Sequence, residues 1–327
     1  MIDGNPGGAM TMQALVDRLN QAAHAYYVMD APIMADREYD ALYDALKAME
    51  EETGTVLPDS PTHRVGGDPL PAFAPHTHIH RLWSMDKVQS LPQLAAWLNR
   101  TAKLAGQDDL AYYVEYKLDG LTINLTYEDG KLVQAATRGN GVIGEAVLPQ
   151  VRTIRSIPLT IPCKELLEVQ GECIMRLSTL KEYNKTADEP LKNPRNGAAG
   201  ALRNLDPRVT AQRRLDAFFY QVGTMEHPPY QNQAEMIQFL RDNGFHVSPY
   251  LEKAETLAEL EELISQIEAQ RNSLDFLIDG AVIKVGALDQ REKMGYTEKF
   301  PRWAVAYKFE AEESTTILRE VTWEVGR

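Results

Sequence analysis

Cysteine is nearly missing from this chain: there are two in 327 residues, Cys163 and Cys173. They form no Cys-x-x-Cys pair, so the expectation is a protein without a zinc site. So few thiols suit a reducing compartment, and the cytoplasm is expected. No apolar run is long enough to span a bilayer, which excludes a membrane-spanning helix. No internal repeat and no low-complexity tract occurs. The opening MIDGNPGGAM lacks the basic and apolar regions of a signal peptide and reads as a disordered leader. Positive charge is also short: 34 Lys and Arg face 47 Asp and Glu, a formal net charge of −13. A protein that grips duplex DNA alone carries a basic face, so charge by itself argues against nucleic acid.

What is present is ordinary globular composition, 44% hydrophobic and 25% charged. The length exceeds what one core serves, so two domains are expected. Residues 11–29 place Leu15, Leu19, Ala22, Ala23 and Tyr26 at helical spacing. A Pro-containing loop follows, then a second helix with Asp36 as its expected N-cap and Tyr39, Leu42, Tyr43, Leu46 and Met49 on one face. This hairpin is too small to be a comfortable domain alone. Residues 53–80, rich in Pro, Gly and His, read as a linker. A helix over 90–106 buries Leu94, Trp97, Leu98 and Leu104. From Tyr112 the pattern turns to strands: a hairpin about Asp129-Gly130, then 166–175, 276–286 and 303–309, with an amphipathic helix over 256–271. Irregular alternation with antiparallel pairs predicts an α+β fold.

One residue breaks the hairpin pattern. Lys117 ends a strand in YKLDG, between Glu115 and Asp119. Alone, such a lysine reads as an exposed partner of those carboxylates. It does not stand alone. Arg138 ends the returning strand, Glu172 ends another, and Lys284 and Lys308 sit on strands facing away from their apolar neighbours. Three strand-borne cations and two carboxylates are costly to bury without a ligand, and an anionic, phosphate-bearing ligand would lift that cost.

In order and spacing, YKLDG, RGNG, VQGE, DGAVIKV and WAVAYKF resemble the motif series of covalent nucleotidyltransferases: DNA ligases, RNA ligases and capping enzymes. KNPRNGAAGALRNLDP and ADREYD narrow the resemblance to bacterial NAD-dependent DNA ligases, over nearly the whole chain. The resemblance implies three parts. Residues 1–72 would be a helical domain that recognises the nicotinamide mononucleotide (NMN) half of NAD, with its linker. Residues 73–312 would be an ATP-grasp-like adenylation domain of antiparallel sheets flanked by helices. Residues 313–327 would open a truncated OB-fold, so the chain is expected to be a fragment of a longer protein.

The resemblance also implies roles. Lys117 would attack the adenylyl phosphate of NAD, giving lysyl-AMP and free NMN, with Asp119 and Asp279 orienting it or a Mg2+ ion near Asp279. Lys284 and Lys308 would hold the phosphate region. Glu172 and Arg138 would bind the AMP ribose. Glu115 would read the adenine amino group beside Ser84 and Met85. Tyr26, Tyr27, Asp36, Tyr39 and Asp40 would recognise NMN, and Arg195 and Arg203 would touch nicked DNA. Cofactors would be NAD and Mg2+; the chain would be a monomer, weak on DNA without its remaining domains. Departures stand at Asn140 and Ala146, where Asp is usual, at Gln170 for Arg, at Leu277 for Asp, and at Tyr27, where some members carry His. They leave the nucleotidyl-transfer residues intact and bear on DNA or metal contacts. An ATP-dependent relative would lack the hairpin; a non-catalytic paralogue would not need Lys117, Glu172, Lys284 and Lys308 together.

Overall fold

The structure, a computed structural model, describes residues 10–29, 31–64 and 71–310. Residues 1–9 of the expected leader and the expected OB-fold start (313–327) lie outside the described residues; Met10, the leader's last residue, packs against the hairpin core. In chain order the elements are α1 (Met12–Tyr27), α2 (Asp36–Thr53), a 3-10 turn at Pro61–Arg64, β1 (Pro75–Thr77), β2 (Asp86–Val88), α3 (Leu91–Ala105), β3 (Tyr112–Leu118), β4 (Leu121–Glu128), β5 (Lys131–Thr137), β6 (Ile143–Glu145) and α4 (Leu148–Arg152). There follow β7 (Leu167–Ile174), α5 (Leu177–Asn184), α6 (Pro194–Leu202), α7 (Pro207–Gln212), β8 (Asp216–Thr224), α8 (Gln233–Asp242), β9 (Leu251–Ala254), α9 (Leu257–Gln270), a 3-10 turn at Arg271–Ser273, β10 (Ile278–Val285), α10 (Leu288–Met294) and β11 (Ala304–Lys308).

The fold is α+β. The hairpin α1–α2 encloses its own small core of Leu15, Val16, Leu19 and Leu46. Beyond it stand two larger sheets. One has the order β2-β11-β10-β3-β9, antiparallel except for the parallel β2–β11 edge, and shares a core with α3 and α9. The other has the antiparallel order β5-β4-β7-β8 and packs with α4, α6 and α8. The β3 and β4 strands join through Asp119-Gly120, so one short turn links the sheets. Gly120 is required there: a Cβ would lie 2.2 Å from the Cys173 carbonyl oxygen.

Local signals hold where the chain alone sets them. Thr256 and Glu259 form a reciprocal capping box at the head of α9. Asp129 and Gly130 both have positive φ (48° and 72°), the backbone a two-residue hairpin needs. Other expectations are corrected. Asp36 does not cap α2: Ala35 occupies the N-cap without a side-chain bond, and Asp36 with Glu38 lies in the first turn, where carboxylates meet the positive helix end. Leu104 points to solvent at 45% exposure, because α3 buries only its Leu94–Trp97–Thr101 face. The linker carries structure too. Arg64 is buried and donates to the Ile154 and Ile157 carbonyls (3.1 and 3.0 Å), and β1 pairs with β6. Those partners lie some 70–90 residues away, beyond any local pattern.

Candidate active site

A cavity of about 930 Å3 opens between the two sheets. Eight Lys and Arg but only three Glu line it, in a chain of net charge −13. Eight of the 34 Lys and Arg therefore stand where the two sheets meet, and such focusing favours an anionic ligand.

Lys117 sits near the end of β3. Its Nζ donates to both oxygens of Asp279, at 2.8 and 3.1 Å. The register explains the meeting. Ile278 pairs with Leu118 and Gly280 with Lys117, so Asp279 is the extra residue of a β-bulge. A bulge re-aims one side chain, and here it turns a carboxylate toward the lysine. Gly280 permits it, since a Cβ there would lie 2.1 Å from the Tyr307 carbonyl oxygen. Lys308, on the neighbouring β11, reaches the same Asp279 at 3.3 Å. One carboxylate therefore holds two ammonium groups.

Asp119 does not join them. Its carboxylate is taken by Arg195 at 3.3 Å, across the rim from α6. Arg203, the C-cap residue of α6, pairs with Glu145 at 3.2 Å. Both arginines are exposed and both line the cavity.

Glu115 and Lys284 form a separate centre at the cavity floor. They pair at 2.9 Å and are almost fully buried, 4% and 3% exposed. Lys284 is thus not free among the phosphate-facing cations, as its spacing suggested: the antiparallel register sets it opposite Tyr113, and its chain leans back to Glu115. Burial pushes the Lys284 ammonium below its usual pKa, and Glu115 opposes that shift. Gln233 donates to the other Glu115 oxygen, and Arg291 donates to Gln233 at 2.8 Å. Arg291 is itself buried and lowered to about 10 by desolvation. The Tyr220 ring lies 5.3 Å from the Lys284 ammonium.

Glu172 lies on β7 opposite Thr122, whose hydroxyl donates to it at 3.1 Å. Burial pushes its carboxyl up to about 7, against the opposing pull of Thr122, Lys117 and Arg138. Arg138 reaches Ser84 at 3.3 Å, and Ser84 and Met85 line the same wall. That wall carries a stack the sequence did not disclose: Arg81 lies 4.1 Å over Trp83, whose ring stacks on Tyr296 at 4.7 Å. Gln233, Arg291, Thr122, Tyr220 and Tyr296 carry no local signal. Gln233, for instance, is the first residue of an ordinary amphipathic helix.

The hairpin residues are not brought into this cavity. Tyr26, Asp36 and Asp40 are exposed, and Tyr39 is half-buried. The Tyr27 hydroxyl accepts from Arg155 at 2.7 Å.

Residues 70–312 match a family described as NAD-dependent DNA ligase adenylation domain. Residues 7–66 match one described as DNA ligase-like, N-terminal NAD+-binding domain. The chain is similar to a protein named DNA ligase from Alkaliphilus metalliredigens, 55% identical over 97% of this chain and 48% of the relative. A DNA ligase from Alkaliphilus oremlandii is 54% identical over 98% and 49%. The chain therefore spans about half the length of these relatives. Among solved structures, a Naegleria gruberi RNA ligase with PPi is 15% identical, with a TM-score of 0.36 over 75% of this chain and 60% of that one.

Proposed function

From the premise that the chain belongs to the NAD-dependent DNA ligases, we propose that Lys117 is its nucleophile and that it carries the first step of nick sealing. The single observation behind the assignment is the Lys117–Asp279 contact at the mouth of a cation-rich cavity. An ammonium cannot attack phosphorus. Asp279, within hydrogen-bond distance, orients Lys117 and accepts its proton as attack begins. The Nζ–P bond forms, the P–O bond to the NMN phosphate breaks, and the departing phosphate takes the charge. Lys308 and Arg138 neutralise charge on the reacting phosphates. Covalent capture divides one difficult transfer into easier ones.

The adenosine half would lie deeper. Glu115, fixed by Lys284 and Gln233, offers an acceptor to the adenine amino group. Glu172 and Arg138 suit the ribose, and the Ser84–Met85 wall flanks it. Lys284 then serves the base end of the pocket rather than the phosphate. The Tyr26–Asp40 hairpin would meet the NMN half when it swings over the cavity, its aromatic faces suiting a cationic nicotinamide. Arg195 and Arg203, exposed at the rim, are placed to meet DNA phosphates once the lysyl-AMP faces the nick.

The family also implies Mg2+. The carboxylates around Lys117 do not fit it well: Asp279 already pairs with two ammonium groups, and Glu172 is raised toward neutrality. No step here is routed through the ion; it would enter on the substrate phosphates, as Mg2+ commonly does.

The test is intact-protein mass after incubation with NAD and Mg2+, in parallel with ATP. One AMP adduct from NAD alone, absent from Lys117→Ala, supports the reading. No adduct from either, in folded protein, refutes it. Deleting residues 1–60 should remove the reaction with NAD.

A further inference from the structure

Outside the cavity, two imidazoles and a carboxylate converge on the polar face of the β4–β7 pair. His76 lies on β1 and His78 just past it, so strand alternation puts both rings on one face. Glu168 faces them from β7, where it pairs with Thr126 on β4 and Thr224 on β8. One ligand atom from each of the three lies within 4.8 Å of the others.

The chemistry of the cluster is unbalanced. Glu168 is 0% exposed, yet its hydrogen-bond partners are neutral: Asn124 Nδ2 (2.8 Å), His80 N (2.9 Å), Thr224 Oγ1 (2.9 Å) and Ile79 N (3.3 Å). Buried carboxylates are normally matched by a cation or a metal. Beside it, three buried polar atoms have no partner: His76 Nε2, Asn124 Oδ1 and Thr126 Oγ1. His78 donates from Nε2 to the Arg138 carbonyl (3.2 Å), which leaves Nδ1 as a lone pair facing inward. The Asn124 amide nitrogen sits between two of these acceptors, bridging His78 Nδ1 (3.4 Å) and Glu168 Oε1 (2.8 Å).

We propose that His76, His78 and Glu168 form a zinc(II) site, with Asn124 Oδ1 as the fourth ligand. Two imidazoles with oxygen donors are a set that zinc accepts in tetrahedral geometry. With ligands at about 2.0–2.1 Å, the ligand atoms stand about 3.4 Å apart, so the cluster closes by shifts of about an ångström. The Asn124 amide turns over as the ion displaces its nitrogen, and its unpartnered oxygen becomes the donor. The His78–Arg138 bond fixes the tautomer and ring angle that coordination needs. Scarcity of cysteine thus excludes a thiolate site but not this one. The site would be structural: Glu168 holds the Ile79–His80 backbone leading to Ser84, and His78 holds the turn bearing Arg138. An ion there stiffens two walls of the cavity without touching the reacting atoms.

The test uses the untagged chain, stripped with a chelator. Co2+ is titrated while visible absorption is followed, and Zn2+ while native mass and melting temperature are read. A single ion per chain, tetrahedral Co2+ bands displaced by Zn2+, and a rise in melting temperature are expected. His76→Gln should weaken binding by about 10-fold or more, yet leave the metal-free melting temperature unchanged, since His76 Nε2 has no partner to lose. Asn124→Ala should weaken it by about 10-fold or more as well. Absent bands with no thermal response to Zn2+ overturn the proposal. So does equal binding by His76→Gln, which would place the ion on other histidines.

Discussion

Consider removing one member of the buried Glu115–Lys284 pair. The two groups are 2.9 Å apart and nearly inaccessible, with Gln233 and the Tyr220 carbonyl as their remaining partners. Lys284→Met leaves a carboxylate held only by a neutral amide. Glu115→Gln leaves an ammonium in a desolvated site. Breaking such a pair from one side costs about 3–5 kcal/mol. For a domain of this size each kcal/mol moves the melting temperature by about 2–4 °C, so each single variant should melt roughly 6–20 °C lower. Replacing both partners removes the uncompensated charge. Glu115→Gln/Lys284→Met should therefore recover most of the loss and cost less than either single variant, which in a urea-denaturation cycle means a coupling of at least about 3 kcal/mol. The same double variant should still fail to form the AMP adduct, because the proposed adenine contact is gone. Stability regained without activity separates the pair's structural part from its binding part. Additive losses, or single variants within about 0.5 kcal/mol of the parent, would show that the pair is not a coupled buried unit.

Three further outcomes follow from the geometry. Asp279→Asn should slow adduct formation by about 10²–10⁴-fold in a single-turnover NAD assay, with KM for NAD little changed; an unaltered rate removes the proton-acceptor role. Glu172 has its folded pKa raised from 4.5 to about 7, so both states are protonated below 4.5 and the folded state is penalised as pH rises to 7. Glu172→Gln should therefore be more stable than the parent above pH 7 by about 1–3 kcal/mol, the lower end because the carboxyl opens on cavity water, and the gap should close toward pH 4.5. Arg64→Met should strip the Ile154 and Ile157 carbonyls of their donor at about 1–3 kcal/mol each, which limited proteolysis between residues 53 and 75 would read as faster cleavage.

Much of the candidate site is legible in the sequence, because its residues sit in short motifs whose backbone form is local. YKLDG is a strand followed by a tight turn, and DGAVIKV is a strand with a glycine where chains approach closely. Partnership was less legible. Asp119 lies two residues from Lys117 and looked like its companion, but strand alternation and the turn send it to Arg195. Asp279, 162 residues away, is the true neighbour, because a bulge adds one residue at that point of the sheet. The motif of Lys284 points it at phosphate, and its partner in the fold, Glu115, comes from the sheet register. The stretch 53–80 read as a linker because strand β1 is three residues long and its pairing partner lies about 70 residues on.

The sequence by itself determined the class of fold, which rests on period and turn chemistry within a few positions, and its series of short motifs carried the resemblance to the family and with it the candidate nucleophile. It also determined that positive charge is scarce. Only the tertiary structure decided where that charge goes. It set eight cations around one cavity, gave Asp279 rather than Asp119 to Lys117, buried Glu115 with Lys284 behind Gln233 and Arg291, and turned two histidines onto Glu168. The physical reason is register: whether two side chains meet depends on which residues of distant strands stand opposite, and a single bulge or slip changes every pairing beyond it.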